Sequence, residues 1–357
     1  MTLIQKPFNA ISSDRLDYAK KLIEKYGRNS FCWQILNPGI SLWISRDDQS
    51  VAGYVLHGNM RIVGGVPVTR PENLKRAAAE FEEDARKHGQ RVCYFGAEDW
   101  LKDIFKNEKT HRIVLLGAQP TWDPRRWPEI ISGKASVREM ISYAFRRGVT
   151  AEETLSESVC DNGEYQSCLK EWLVSRKLPA LKFLINPHIL ENSHGRRFFS
   201  ARKNGELIGF LSLVPIVGRN GWLIEHIFRG NRAVKGMNEL LIDSVMTKLA
   251  NEGCAYATLG LVPLSKRAGL SYDMNPAWIR AAFNWLYSEA SSFYNFNGLD
   301  VFKSKFKPHH WESVYAIVNK PRFSPVTFYR IAAVFCRTSP FLFGVTALVR
   351  TVLNLID

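Results

Sequence analysis

Apolar and polar positions alternate at strand spacing in two separate parts of the chain, and in each part helical spacing follows. In the first part, Ser41–Arg46 and Val51–His57 are apolar, aromatic-rich runs joined by Asp47-Asp48-Gln49, which predicts a hairpin. Met60–Val63 predicts a third short strand. Thr69-Arg-Pro-Glu72 then predicts a helix start, with Thr69 as N-cap, Pro71 in the first turn and Glu72 at the capping-box position. Leu74, Ala77, Ala78, Phe81 and Ala85 recur at helical spacing, and Gly89 ends the run. Arg91–Phe95 reads as a strand, Asp99–Lys106 as a helix and His111–Leu116 as a strand.

The second part repeats that order. Arg197–Arg202 and Glu206–Val214 flank Asn204-Gly205, a strong short hairpin signal. Trp222–Phe228 follows as a strand and Gly236–Ala250 as a helix with Met237, Leu240, Leu241, Val245 and Leu249 on one side. Ala255–Gly260 is a strand, Pro276–Ala290 a helix and Trp311–Val318 a strand. Each half reads β-β-β-α-β-α-β, the core order of the GCN5-related acetyltransferase fold. The expected fold class is therefore α/β (α+β): two tandem acetyltransferase-like domains with mixed, mainly antiparallel sheets flanked by helices. The expected divisions are residues 1–134, connecting helices over 135–195 (Val137–Arg147 and Tyr165–Arg176), a catalytic domain over 196–320 and a tail over 321–357.

Charge narrows the class of partner. Forty-eight Lys and Arg against 34 Asp and Glu leave +14. A field of that sign favours polyanions such as nucleic acid or anionic lipid headgroups. The six cysteines (Cys32, Cys93, Cys160, Cys168, Cys254 and Cys336) show no C-x-x-C pair and no zinc spacing, as expected of reduced thiols in a cytoplasmic protein without a metal centre. The first 21 residues lack the charged start and apolar core of a signal peptide. The best membrane-span candidate, Ile331–Val349, is broken by Arg337, Thr338, Ser339 and Pro340, so no transmembrane helix is expected.

Four stretches of the second half resemble the C-terminal catalytic domain of lysyl-phosphatidylglycerol synthases. They are Glu225-His-Ile-Phe-Arg229, Gly236-Met-Asn-Glu239-Leu-Leu, Leu259-Gly-Leu-Val-Pro-Leu-Ser265 and the run Tyr294-Asn-Phe-Asn-Gly-Leu-Asp-Val-Phe-Lys-Ser-Lys-Phe-Lys-Pro308. Weaker likeness extends back through Ser136–Gly148 and Glu171-Trp-Leu173, so that it covers Ser41–Val318. The resemblance implies an aminoacyltransferase that moves an amino acid from aminoacyl-tRNA to a membrane lipid, with no redox cofactor and no metal. Three departures stand out. The large family members carry an N-terminal bundle of membrane helices that this sequence lacks. Glu225 and Phe228 stand where the family often has an aspartate and a methionine. The tail after Pro321 is this sequence's own.

Ester exchange needs a deprotonated acceptor hydroxyl, a stabilised tetrahedral oxyanion and grips on two anionic substrates. Lys303 is the first candidate for the catalytic cation, to hold the oxyanion or a lipid phosphate; on a strand, Lys305 and Lys307 would point the same way. The plainer alternative for Lys303 is one more solvated lysine in a basic run. Glu225 and Arg229, four apart, would share a face of a regular strand. Glu225 is a candidate general base or ligand for the α-ammonium of the amino acid, and Arg229 a fork for phosphate or the tRNA terminus; a mutual surface salt bridge is the simpler reading. Glu239 is a further candidate ligand for an amino group, or else a charge that offsets the helix dipole. Asn295, Asn297, Gly298, Lys305 and Ser265 complete the expected substrate-binding set. Arg138, Arg146 and Arg147, with Arg125 and Arg126, lie among Trp122, Trp127, Tyr143 and Phe145, a mixture that suits an unpaired CCA end.

Three rival readings stay open. An acyl-CoA-dependent N-acyltransferase would need a glycine-rich phosphate turn, but Asn231-Arg-Ala-Val-Lys-Gly-Met-Asn238 holds one glycine and no second small residue in register. A non-catalytic RNA- or membrane-binding module accounts for the charge but not for the Tyr294–Pro308 run. A tRNA-dependent transferase with an amine acceptor would form a peptide bond instead. The tail predicts two helices around a Pro340 hinge. The first sets Phe328, Ile331, Val334 and Phe335 on one face, and the second carries Phe341, Leu342, Val345, Leu348, Val349 and Leu353. From Lys303 to Arg350 there are eight Lys or Arg against the single acid Glu312. That combination is expected to dock on the anionic inner leaflet, the alternative being packing on the body of the protein.

Overall fold

The computed structural model describes residues 13–105, 110–176, 182–269, 272–288 and 296–336. Helix α1 (Ser13–Tyr26) leads into strands β1 (Ser41–Ile44), β2 (Val51–His57) and β3 (Met60–Gly64), helix α2 (Leu74–Lys87), β4 (Arg91–Glu98), α3 (Asp99–Phe105) and β5 (Arg112–Trp122). Helices α4 (Trp127–Ser132) and α5 (Ala135–Arg146), strand β6 (Val149–Thr154), and helices α6 (Glu157–Cys160) and α7 (Gly163–Val174) form the middle of the chain. The second half then runs β7 (Arg197–Lys203), β8 (Glu206–Ile216), β9 (Gly221–Arg229), α8 (Met237–Asn251), β10 (Tyr256–Thr258), β11 (Val262–Pro263), α9 (Ala277–Ser288), α10 (Phe296–Ser304), β12 (His310–Val318) and α11 (Pro325–Cys336).

Among the described residues, twelve strands join one sheet in the order β1-β2-β3-β4-β12-β5-β10-β9-β8-β7-β6, with β11 paired to β5. The expected β-β-β-α-β-α-β order is present in both halves, but its last strand is exchanged. β12, which ends the second half in sequence, lies between β4 and β5 of the first, antiparallel to both. β5 in turn pairs antiparallel with β10, so the halves share a continuous backbone ladder. β6, inside the stretch expected to be purely helical, closes the far edge against β7. The Asn204-Gly205 hairpin forms as the sequence predicts, with φ of +51° and +83° at its two residues. Thr69 does not cap a helix: its Oγ1 donates to the Gln49 carbonyl, and Pro71–Asn73 form a 3-10 turn before α2.

Helices cover both faces. The two largest cores take Leu223 on one face of β9, with residues from α1, β1–β3 and α11, and Ile224 on the other, with residues of α8. At the join, a buried polar network ties the halves. Glu98 accepts from the Ser30 amide at 2.9 Å and from Arg219 at 3.1 Å, and Arg219 binds Glu312 through Nη1 at 2.8 and 2.9 Å. Gln119 donates to both carboxylates, at 3.2 Å to Glu98 and 2.9 Å to Glu312.

The first tail helix is not free to lie on a membrane. Ile331 and Val334 of α11 are buried, and Phe335 packs edge-on against Phe95 and Phe183 with centroids 4.9 and 5.3 Å apart. The apolar face expected for a lipid surface thus covers β2 and β3 of the protein itself. The second tail helix, with Phe341 to Leu353, lies outside the described residues. Among the described residues no helix is long and apolar enough to cross a membrane.

Candidate functional site

β9 and β10 run parallel for three residue pairs, Gly221–Tyr256 to Leu223–Thr258, and then part, because β10 ends while β9 continues to Arg229. Directly beyond the last pair, β9 carries a bulge against β8. Ser212 pairs with His226 and Leu213 with Ile224, which leaves Glu225 as the extra residue. A bulge interrupts the two-residue alternation and re-aims one side chain. Ile224 packs on the α8 side and Glu225 on the other face, where it reaches Arg196, Gln34 and Ser212, and the bulge leaves His226 on that same face and returns Ile227 to the α8 side.

The bulge separates the pair that regular alternation would have placed side by side. Arg229 is exposed at the end of β9, with its Nη2 at 3.5 Å from the Ala233 carbonyl. The partner of Glu225 is Arg196, whose Nε and Nη2 donate to its two oxygens at 2.9 and 3.1 Å, with both side chains almost out of solvent. Burial alone would raise the Glu225 pKa, but the Arg196 and His226 charges outweigh it and hold the carboxyl below its ordinary value. Gln34 donates to Glu225 at 3.3 Å and leaves its own Oε1 buried without a hydrogen-bond partner. The neighbouring His226 imidazole is held low by burial, and its Nε2 lies 3.2 Å from the Asn186 carbonyl. Arg196, Gln34 and His226 were not singled out from the sequence. Arg196 lies just ahead of β7, 29 residues away, with no local motif to mark it.

The lysine run does not form a strand. Residues 296–304 are helix α10, and helical spacing sends its lysine and those beyond it in different directions. Lys303 points inward, where Nζ donates to the carbonyls of Leu259, Gly260 and Leu261 at 2.5, 3.0 and 3.2 Å. All three of its protons are thereby used. Burial lowers its pKa from 10.5 to about 7, although three carbonyl oxygens around the ammonium favour the charged form. Lys303 thus fastens α10 to the segment where β10 leaves β9. It is not the solvated lysine of a basic surface. Lys305 instead pairs with Glu239 in the first turn of α8 and lies 4.3 Å from the centroid of Phe302 and 5.1 Å from that of Phe306. Lys307, in a left-handed turn at φ +45°, donates to the Gly133 carbonyl at 3.0 Å.

Ser265 is buried and donates to Asp300 of α10 at 2.6 Å, and Arg267 binds the other oxygen of Asp300 at 2.5 Å. Asn297 and Gly298 occupy the first turn of α10; Asn295 lies outside the described residues. Of the basic stretch, Arg125 is held bidentately by Asp123 at 2.8 and 2.7 Å, Arg126 by Glu129, and Arg138 by the carbonyls of Ile131 and Ser132. Arg146 and Arg147 are exposed at the end of α5 beside Phe145, which is 69% exposed, and Arg147 stacks on Tyr143 at 5.3 Å.

The turn ahead of α8 packs closely on α5. Gly236 has φ +85°, and a Cβ there would stand 2.0 Å from the Met140 carbonyl of α5. The Asn231 amide ahead of it is taken by a Glu171 oxygen at 2.7 Å, and Glu239 adds a second carboxylate one turn on.

Comparison with known proteins agrees with this architecture. Residues 20–318 match the family described as phosphatidylglycerol lysyltransferase, C-terminal, and the chain belongs to that family of transferase domains. It is 24% identical over 275 residues to the phosphatidylglycerol lysyltransferase of Bacillus subtilis, which covers 76% of this chain and 31% of that protein. The chain thus spans less than a third of the curated relative it matches. The C-terminal domain of a putative lysylphosphatidylglycerol synthetase from Agrobacterium fabrum shares its fold with a TM-score of 0.74, at 22% identity over 90% of this chain and 97% of that one. L-PGS from Bacillus licheniformis does so with a TM-score of 0.72, at 20% identity over 92% and 96%.

Proposed function

We propose that this chain transfers an aminoacyl group from aminoacyl-tRNA to a hydroxyl of a phosphatidylglycerol-like lipid by ester exchange. The observation that carries the reading is the family match across residues 20–318. The donor is argued from α8. Acyl-CoA enzymes of the acetyltransferase fold seat a pyrophosphate on free amides at this helix start. Here that anion would meet Glu171, Glu239 and the Met140 carbonyl, so the geometry disfavours CoA and supports a donor carried by RNA.

In the reaction, the acceptor oxygen attacks the ester carbonyl, the bond to the tRNA ribose oxygen breaks, and the acceptor's proton leaves with that ribose oxygen. Lys305 is proposed as the cation that steadies the oxyanion, since its side chain is partly accessible and its charge is oriented by Glu239. Lys303 is proposed to act one step removed, by fixing the Leu259–Leu261 carbonyl segment that walls the opening between β9 and β10. Glu225, kept ionised by Arg196, suits a fixed anion for the α-ammonium better than a general base, which must accept a proton readily. The Gln34 Oε1 beside it offers a second acceptor. Arg229 and the Ser265–Asp300–Arg267 cluster, with Asn295, Asn297 and Gly298, are proposed to grip the phosphate-bearing acceptor, and Arg138, Arg146 and Arg147 the tRNA. We propose further that the chemistry lies in residues 196–320 and that the enzyme works in the cytoplasm, peripheral on the inner membrane surface, where each cation near an anionic surface contributes roughly 1 kcal/mol.

Extraction and mass spectrometry of lipids from cells expressing the protein test the reading. A new aminoacylated phosphatidylglycerol, absent with Lys305→Ala, is expected. An unchanged lipid profile in cells with ample phosphatidylglycerol and charged tRNA would remove the lipid acceptor.

A further inference from the structure

One end of the sheet is basic and edged with apolar side chains. β4 runs antiparallel to β12, β12 to β5 and β5 to β10, so β4 and β5 start at the end where β12, β10 and β9 finish. The turn between β2 and β3 lies at the same end, because Met60 pairs with both His57 and Arg91. Arg91 and Arg112 open β4 and β5 there and are exposed, and Lys320 and exposed Arg322 follow the last residue of β12. Arg330 lies across the turn, its Nη1 donating to the Asn59 side chain at 2.5 Å. From Asn319 to Cys336 the chain carries three cations and no acid. The carboxylates of α2 beside this end are already engaged: Asp84 binds Arg61 at 2.6 Å, Glu83 binds Arg86 at 2.8 Å and Glu82 lies 2.9 Å from His111. Apolar side chains reach solvent beside the cations. Leu56 is 46% exposed, Val326 56% and Tyr329 45%, with the Tyr329 ring 6.1 Å from that of His57. Val326 and Tyr329 belong to the first turns of α11, which meets this end by its start while its inner face stays packed on the sheet.

We infer that this end of the sheet is the face by which the enzyme docks on an anionic lipid bilayer, with the cations at the headgroup phosphates and Leu56, Val326 and Tyr329 at the edge of the acyl region. Cations without acidic partners, set beside a tyrosine and aliphatic side chains, suit an anionic bilayer surface. An RNA strand would meet the charge but leave Leu56 and Val326 in water. The candidate site opens the same way. Leu223, Thr258 and Thr121 lie level across β9, β10 and β5. Towards the basic end, β9 runs six residues past Leu223 to Arg229, and β5 reaches back nine residues from Thr121 to Arg112. At roughly 3.3 Å per residue, Arg229 stands within about 10 Å of the level of Arg112 along the strands. Arg229 is proposed above to grip the acceptor phosphate, and a headgroup of the docked bilayer would approach it from this end. The inference rests on the peripheral membrane placement proposed above.

The test is flotation of the full chain with phosphatidylcholine vesicles, with and without phosphatidylglycerol, beside transfer assays on vesicular and on monomeric short-chain phosphatidylglycerol. The variants are Arg91→Gln/Arg322→Gln, Val326→Asp and Val326→Trp, all at exposed positions, so that the fold is spared. One cation near an anionic surface is worth a factor of about 5 in binding, so the double variant is expected to bind anionic vesicles about 30-fold more weakly. Val326→Asp should weaken binding and Val326→Trp strengthen it. Each variant should keep the wild-type rate on monomeric lipid and change on vesicles in step with binding. Flotation of wild type on anionic vesicles that none of the three variants alters overturns the docking face and leaves the lipid acceptor standing. Failure of the full chain to float, with monomeric lipid still aminoacylated, overturns docking alone. Single-stranded RNA binding that is lost in the double variant while flotation is unchanged makes this end an RNA surface and overturns the inference. Flotation lost as expected, with no transfer to either form of lipid, overturns the acceptor assignment and leaves the docking face standing.

Discussion

Arg196 meets Glu225 with two nitrogens on two oxygens, at 2.9 and 3.1 Å, at a β-bulge and on the face of β9 away from the α8 core. Neither side chain has appreciable contact with solvent. Breaking such a pair from one side leaves an uncompensated buried charge, which costs about 3–5 kcal/mol. Arg196→Met is expected to lower unfolding stability by that amount, measured by urea denaturation, and Glu225→Gln by less, since the amide still accepts from Arg196. Equal and negligible losses would mean that the pair is solvated in solution.

Lys303 supplies a pH signature. With its folded pKa lowered to about 7 from 10.5, the unfolded chain binds a proton between those values that the folded chain lacks. Stability contributed by this site therefore rises with pH from 7 towards 10, by at most roughly 4 kcal/mol, the carbonyl contacts of the ammonium reducing the figure. The difference in unfolding free energy between wild type and Lys303→Met, followed over that range, isolates it from other titrating groups. A difference that falls as pH rises would mean that the three carbonyls outweigh burial and that the pKa of Lys303 is not lowered.

The two lysines should separate in kinetics and stability. Lys305→Ala is expected to lower single-turnover transfer about 10²–10³-fold, as for loss of one oxyanion contact, with a smaller fall in melting temperature than Lys303→Ala causes, the fall coming from the unpaired Glu239. Lys303→Ala should lower both, because it leaves three carbonyls without their donor. A Lys305→Ala enzyme with wild-type rate would return the role of catalytic cation to Lys303.

Helix α11 is expected to matter first for folding. Ile331→Asp puts a charge into a buried position against the first half and should cost several kcal/mol, seen as a lower melting temperature without vesicles present. Wild-type stability combined with loss of flotation on phosphatidylglycerol vesicles would restore the membrane-facing reading of this helix.

Much of the fold was legible in the sequence, because period-two runs, the Asn204-Gly205 turn and the Leu74–Ala85 stripe are local signals. The exchange of β12 was not, since a strand's neighbours depend on contacts hundreds of residues apart: Val314 pairs with Glu98 on one side and Gly117 on the other. The site was legible in its residue types but not in its arrangement. Glu239 and Lys303 are buried, the Glu225 side chain is almost out of solvent and Lys305 is partly accessible, all around β9, α8 and α10. The sequence pattern gave no sign of the bulge that parts Glu225 from Arg229, nor of α10, whose apolar positions also suit a short strand. Arg196 was invisible because nothing near it in sequence marks a buried arginine.

The most direct test is single-turnover transfer from tRNA charged with a radiolabelled amino acid into phosphatidylglycerol vesicles, with and without ribonuclease pretreatment and with acetyl-CoA in a parallel reaction. Lipid-soluble label that ribonuclease abolishes, that acetyl-CoA does not inhibit and that falls about 10²–10³-fold in Lys305→Ala is the predicted result. Label that stays in the aqueous phase with active enzyme, or acetylated product that survives ribonuclease, would contradict aminoacyl transfer from tRNA to lipid.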